Sequence, residues 1–262
     1  MKPVLLIIDD NTDIVDFLKE VLCNDYDTIE AYNGQAALEI LKTEIVHLVI
    51  CDVLMPVMDG LTFCKTVKSD YELSHVPIIL LTSKNTLQDK VHGLEMGADV
   101  YIEKPFYPTI LLAQVASLLQ NRLKVKQFFA SSPLVNIKSV AYTKWDEIFV
   151  EQLNTHISNN LDNPDIDVMH LASAVNMSRP TLYRKINALM NVSPKDLINI
   201  ARLKKAAELL VKGEYDLKRI ASTVGFTSQS YFSQSFLKQF GITPTQFAAA
   251  KSSEIKKDIP QN

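Results

Sequence analysis

Val49-Ile50-Cys51-Asp52-Val53-Leu54-Met55-Pro56-Val57-Met58-Asp59-Gly60 is the stretch whose reading decides the fold of the first half of this chain. Leu48 to Cys51 is an apolar run of strand length, stopped by the carboxylate of Asp52, and a turn follows from Pro56 to Gly60. Such a run suits a strand buried on both faces, and a charge at its carboxyl end is tolerated where the strand opens into a cleft. A lone aspartate at a strand end also serves as a loop cap. Asp52 therefore needs company before it counts as a functional residue.

The company lies on both sides. Val4 to Ile8 is a second apolar run, ending in Asp9-Asp10-Asn11. Ile14, Phe17, Leu18, Val21 and Leu22 recur at helical spacing, Tyr26 to Glu30 reads as a short strand, and Gln35 to Leu41 is helical again. Leu61 to Val67 reads as helix, Pro77 to Thr82 as strand, Leu87 to Met96 as helix and Val100 to Ile102 as strand. After Lys104-Pro105-Phe106, the positions Leu111, Leu112, Val115, Leu118 and Leu119 predict a long final helix. Five β-α units with short connections require a parallel sheet covered by helices on both faces. In such sheets the functional crevice lies outside the carboxyl ends of the strands, where Asp9, Asp10, Asp52, Thr82 and Lys104 would converge. Three carboxylates repel one another unless a cation sits among them, and an oxygen-only set suits Mg²⁺. Lys104 and Thr82 supply a cation and a hydroxyl for the outer oxygens of a phosphoryl group, and Asp52 a carboxylate nucleophile.

Asp9-Asp10, Asp52, Met55-Pro56 with Asp59-Gly60, Thr82-Ser83, Gly97-Ala98-Asp99, Tyr101 and Lys104-Pro105-Phe106 together resemble the receiver domain of two-component response regulators. The resemblance runs from residue 3 to about 121. It implies a flavodoxin-like, doubly wound five-stranded parallel sheet in the order 2-1-3-4-5. It further implies that Asp52 accepts a phosphoryl group from a phosphohistidine of a sensor histidine kinase. Mg²⁺ would then be held by Asp10, Asp52 and the backbone carbonyl of Leu54, with Asp9 assisting. Lys104 would pair with the phosphate, Thr82 would move toward it as Tyr101 swings inward, and the Lys104-Pro105 peptide would be cis. The Leu54 side chain would lie beside the path of attacking water. His47, His75 and His92 have no partner at metal-ligand spacing, and Cys23, Cys51 and Cys64 read as reduced thiols.

The length of 262 residues suggests two domains. The net charge of −3 conceals an asymmetry, because residues 1–121 carry 8 Lys and Arg against 18 Asp and Glu (−10), and residues 122–262 carry 19 against 12 (+7). A basic half joined to an acidic one is what a nucleic-acid-binding domain would show. Arg122 to Lys144 has five basic residues, no acid and the breakers Ser131-Ser132-Pro133, which reads as a basic linker, residues 122–144, although the last helix of the first half can run on to Phe129. No apolar run approaches a membrane span or a signal peptide, which gives a cytoplasmic chain without membrane contact.

From Trp145 the pattern is helical, and an internal repeat appears. Ala172 matches Ala221 at an offset of 49, whereas Leu182 matches Phe232, and Ser193-Pro194 matches Thr243-Pro244, at 50, so the second turn is longer by one residue. Each copy is a short helix, a tight turn and a second helix beginning at Ser178 or at Thr227-Ser228, the helix-turn-helix arrangement whose second helix enters the major groove. Ser193 with Asp196 and Thr243 with Gln246 are capping boxes with Pro at the first helical position. Residues 145–262 thus resemble the all-α, AraC-type DNA-binding domain with two helix-turn-helix motifs. With Leu182, Ile186 and Leu189 inward, Arg179, Pro180, Tyr183 and Arg184 face the groove. With Phe232, Phe236 and Tyr231 inward, Gln229, Ser230, Ser233 and Gln234 do. Arg reads guanine and Gln adenine. Lys185, Arg202, Lys204, Lys205, Lys218 and Arg219 are phosphate candidates.

The order of parts predicts a transcriptional response regulator rather than an enzyme. Its partners would be double-stranded DNA, a sensor histidine kinase acting in trans or as a missing amino-terminal part of the same chain, and a second copy when phosphorylated, with RNA polymerase a further candidate. Two other readings stand beside it. One is a phosphorylation-independent scaffold bound to DNA. The other is an aspartyl-phosphate phosphatase, against which the absence of a D-x-D arrangement after the first strand counts.

Overall fold

Val4–Ile8 (β1), Asp27–Ala31 (β2), Leu48–Asp52 (β3), Ile78–Thr82 (β4) and Val100–Glu103 (β5) form one parallel sheet, in the order β2-β1-β3-β4-β5. The computed structural model describes residues 2–83, 96–163, 165–213 and 216–257. The helix expected over Leu87 to Met96 lies outside the described residues except for Met96, which is in a turn, and His92 falls outside them as well. Helices Thr12–Leu22 (α1), Gly34–Thr43 (α2), Gly60–Ser69 (α3) and Pro108–Ser131 (α4) complete the described part of this fold.

Alternation along the strands divides the core in two. Leu6, Ile8, Val49, Cys51, Ile78 and Leu80 pack with Ala37 and Leu41 of α2 and with Phe63, Cys64 and Val67 of α3. Leu5, Ile7, Leu48, Ile50, Ile79 and Leu81 pack with Val15, Leu18 and Leu22 of α1 and with Leu111 and Val115 of α4. Successive strand residues point to opposite faces, so an unbroken apolar run is what a sheet covered on both sides demands. Asn11, Asn33 and Asp59 cap α1, α2 and α3 through their side chains, which fixes where each helix begins.

The chain divides into two units, one of Met1–Lys124 with Tyr142–Asp146 and one of Val125–Ala141 with Glu147–Asn262. The division falls inside α4, which continues to Ser131. Residues 142–146, partly within the span read as a linker, are packed into the first unit. The fully buried Asp146 carboxylate accepts from Ser74 Oγ at 3.0 Å and from the Thr143 N–H at 3.2 Å. The Arg122 guanidinium lies 4.0 Å from the centre of the Tyr142 ring, and Trp145 meets Tyr71 edge to face at 6.1 Å. A basic, acid-free stretch carries no signal of this in its composition.

The second unit contains a 3₁₀ turn at Ile137–Val140 and helices Lys144–Ser158 (α5, whose first turn counts with the first unit), Val168–Ala174 (α6), Arg179–Met190 (α7), Pro194–Lys212 (α8), Leu217–Thr223 (α9), Gln229–Phe240 (α10) and Pro244–Lys257 (α11). The repeat shows in the backbone. The Met177 N–H donates to Ala172 O at 3.0 Å and the Phe226 N–H to Ala221 O at 2.9 Å, and Asn176 (φ 54°) and Gly225 (φ 77°) hold the two turns in the left-handed region. Ser178 and Ser228 then cap α7 and α10, so the extra residue is Thr227. Asn191 (φ 55°) and Gly241 (φ 76°) end these helices in the same way.

At the edge of the first unit, the Asp99 carboxylate takes Lys68 Nζ at 2.7 Å, Arg122 Nη2 at 2.9 Å and the Ile78 N–H at 2.9 Å. Burial pushes its carboxyl up, but Lys68 and Arg122 outweigh burial and hold it below the ordinary carboxylate range. A lowered folded pKa contributes stability above the unfolded value that is lost as pH falls through the folded one. The first unit is therefore expected to lose stability below about pH 4, followed by urea unfolding through Trp145, the single tryptophan. Asp99→Asn should blunt that acid loss and cost about 3 kcal/mol at neutral pH, because two cations stay buried without their partner.

Candidate phosphoacceptor site and nucleic-acid interface

β1 and β3 are neighbours with Ile8 opposite Cys51, so the next residue of each, Asp9 and Asp52, leaves the sheet side by side. β4 lies on the other flank of β3, with Leu81 opposite Asp52, which brings Thr82 to the same end. The Lys104 N–H donates to Thr82 O at 2.6 Å, carrying the end of β5 to this crevice, and the Lys104-Pro105 peptide is cis. Lys104 Nζ then lies 2.8 Å from Asp9 Oδ2 and 2.5 Å from Asp52 Oδ1. The second oxygen of Asp52 accepts the Leu54 N–H at 2.6 Å, and Asp9 Oδ1 accepts that of Asn11 at 3.0 Å.

Asp9, Asp52 and Thr82 are buried, Asp10 is exposed at the mouth, and Leu54 keeps half of its surface exposed. Tyr101 is partly buried against the α2 and α3 side of the core. Burial pushes the Asp52 carboxyl up against the pull of Lys104. On Lys104 the bonds to Asp52 and Asp9 outweigh burial and raise the ammonium pKa. Among the described residues no three acidic, histidine or cysteine side chains are grouped closely enough to hold a metal ion. The chemistry of the donors nevertheless fits Mg²⁺, because two buried carboxylates are already gathered on one cation, with the Asp10 carboxylate and the Leu54 carbonyl beside them in sequence.

Two features of the loop after β3 escaped the sequence reading. A Cβ on Gly60 would fall 2.0 Å from the Asp52 carbonyl oxygen, so only glycine lets α3 begin directly beneath Asp52. Val57 has φ 68°, and the Met58 N–H reaches back to Pro56 O at 2.7 Å, a tight turn holding a β-branched residue in the left-handed region with its side chain 85% exposed. The Pro56 to Gly60 turn signal marked the place but not the strain.

In the second unit Leu182, Ile186 and Leu189 are buried, while Arg179, Pro180 and Tyr183 are exposed and Arg184 is half-buried. On α10, Phe232 and Phe236 are buried, Gln229, Ser230 and Gln234 are exposed, and Ser233 is half-buried. Tyr231, expected inward, is 57% exposed and meets Phe226 in a tilted ring pair, with centroids 5.8 Å apart. Three of the phosphate candidates turn into the protein instead. Lys185 is 1% exposed, with its ammonium 4.9 Å from the Phe149 ring centre. Lys204 donates to the carbonyls of Ser132 and Val135 over the Phe129 ring, and burial pulls its pKa down to about 8. Arg202 donates to Asn163 O at 2.7 Å.

Residues 5–116 match the family model of the response regulator receiver domain, and residues 171–250 match that of a helix-turn-helix domain. The chain is a receiver domain joined to an AraC-type helix-turn-helix domain. It is 36% identical over 246 residues to histidine kinase P4 of Formosa agariphila, an alignment covering 94% of this chain and 18% of that protein. It is 36% identical over 128 residues to the response regulator GtcR of Aneurinibacillus migulanus, covering 48% of this chain and 52% of that one. The chain thus spans about a fifth to about half the length of these curated relatives. The crystal structure of the receiver domain of a signal transduction histidine kinase from Syntrophus aciditrophicus is 37% identical, over 45% of this chain and 91% of that one, with a TM-score of 0.44.

Within the receiver domain, the strained turn yields a test. Glycine occupies the left-handed region without strain, at the cost of a more disordered unfolded chain. Val57→Gly is therefore expected to stabilise the receiver by about 1 kcal/mol, the relief of strain outweighing the entropy cost. Urea unfolding followed by Trp145 fluorescence measures it, and an unchanged midpoint would show that the turn is unstrained.

Proposed function

We propose that this chain is a DNA-binding transcriptional response regulator switched by phosphorylation of Asp52. The observation that carries the reading is the Lys104 ammonium gathered onto Asp52 and Asp9 at the carboxyl ends of the strands, in a chain whose other domain is a duplicated helix-turn-helix. The phosphodonor is a phosphohistidine of a sensor histidine kinase, a proposal supported by the similarity of 94% of this chain to part of a histidine kinase.

An oxygen of Asp52 attacks the phosphorus, an O–P bond forms as the P–N bond of the donor breaks, and the electron pair leaves on the imidazole. Lys104 moves from the free carboxylate to the phosphoryl oxygens, and Thr82, at the end of the neighbouring strand, supplies a hydroxyl to them. Asp9, Asp10, Asp52 and the Leu54 carbonyl would hold Mg²⁺, whose charge offsets that of the phosphoryl group. Thr82 and Tyr101 then draw inward and shift the chain toward a dimer competent for DNA, which needs a difference of only a few kcal/mol between the states. Arg179, Pro180, Tyr183 and Arg184 of the first copy and Gln229, Ser230, Ser233 and Gln234 of the second face the bases. RNA polymerase is a partner of the bound form, and the chain acts in the cytoplasm.

Loading with beryllofluoride and Mg²⁺ is expected to promote dimerisation and to raise DNA affinity by about tenfold, a shift of ~1.4 kcal/mol. Asp52→Asn should abolish both responses, and equal behaviour of the two proteins would end the switch proposal. Arg179→Ala is expected to cost about 1–3 kcal/mol and relax one guanine preference, and, because a cation is removed, to lower the salt slope of log affinity by about 1. Gln229→Ala should leave that slope alone and relax one adenine preference by ~1–3 kcal/mol.

A further inference from the structure

The two helix-turn-helix copies are joined by α8, 19 residues and so about 28 Å long. Beside α8 a cavity of about 770 Å³ separates the end of α7, at Asn187 and Asn191, from the Gln234 and Lys238 face of α10. Arg202 and Gly225 lie on the wall of the same cavity.

At that wall the copies meet. A Cβ on Gly225 would fall 2.2 Å from the Leu161 carbonyl oxygen and 3.0 Å from Arg202 Nη2, so the turn of the second copy is pressed against the loop that precedes the first copy and against the guanidinium. Arg202 Nη2 donates to Asn163 O in that loop at 2.7 Å. The equivalent turn residue of the first copy, Asn176, has a similar φ but is exposed. Arg202 Nε is buried with no hydrogen-bond partner among the described residues, and burial lowers the guanidinium pKa. A half-buried cation with an unsatisfied donor is a poor stabiliser compared with an apolar side chain of its size. What it does supply is a bidirectional link between a loop, a helix and a turn that otherwise face one another across a cavity.

We infer that Arg202, seated against Gly225 and the Asn163 carbonyl, is a positioning residue that fixes the separation of the two recognition helices and thereby the spacing between the two DNA segments they accept. The inference rests on the DNA-binding reading above. Two helices reading adjacent major-groove segments must be held about one helical turn apart. A joint that gives by a few ångströms would let the second helix follow a site moved by one base pair, a 3.4 Å step.

The test uses the full chain and a bound sequence selected from random DNA, with single base pairs then inserted or deleted between the two contacted segments. Wild type is expected to lose at least about tenfold in affinity on a one-base-pair change, the scale of a mismatched site. Arg202→Met should reduce that penalty to about threefold or less while retaining binding at the original spacing. Arg202→Lys, able to donate to the same carbonyl, should restore most of the discrimination. A purely structural role would lower affinity equally at all spacings, and that result in both variants overturns the inference. Equal tolerance of spacing in wild type overturns it too. A wild-type chain that selects no DNA defeats the DNA-binding reading itself, which separates the two failures.

Discussion

Two carboxylates and one ammonium meet where β1, β3 and β5 end, and the rest of the receiver domain keeps them there. Asp9 and Asp52 are adjacent because their strands are parallel neighbours in register. Parallel neighbours require crossover helices, and these cover both faces of the sheet. Burial then pushes the Asp52 carboxyl toward its neutral form, against Lys104. The domain holds a charge where its own packing disfavours one, and the same location shields the Asp52 carboxylate from bulk water.

Much of this was legible in the sequence, because strands buried on both faces advertise themselves as apolar runs. The runs ending in Asp9, Asp52 and Thr82 are β1, β3 and β4, and the five-strand order followed from the receiver resemblance. The repeat likewise showed in the offsets of Ala172 from Ala221 and of Ser193 from Thr243. Other features were not legible, for a common physical reason. Lys185, Arg202 and Lys204 have aliphatic stems with charged ends, and a sequence window does not reveal whether the end meets water, an aromatic ring or a carbonyl. Tyr231 was assigned inward on its apolar character, but its hydroxyl-bearing ring is as well placed at a surface. Val57 is a backbone effect with no compositional trace.

The segment 122–144 and the two residues after it show the same limit at a larger scale. The basic residues of 122–144 point to a linker that becomes a tether beyond Phe129, yet Arg122 spans Asp99 and the Tyr142 ring, and Asp146, just past Lys144, is buried on Ser74. A charge run carries information on solvation only until a partner of opposite sign arrives from elsewhere in the chain.

The one-residue insertion at Thr227 sets the copies apart, as do Asn176 opposite Gly225 and a first helix with Arg179 and Arg184 at its start beside a second with no charge before Lys238. Two such arms in one polypeptide make a ruler with unlike ends. The duplicated domain therefore has a head and a tail. The asymmetry lies within one polypeptide and needs no second copy to create it.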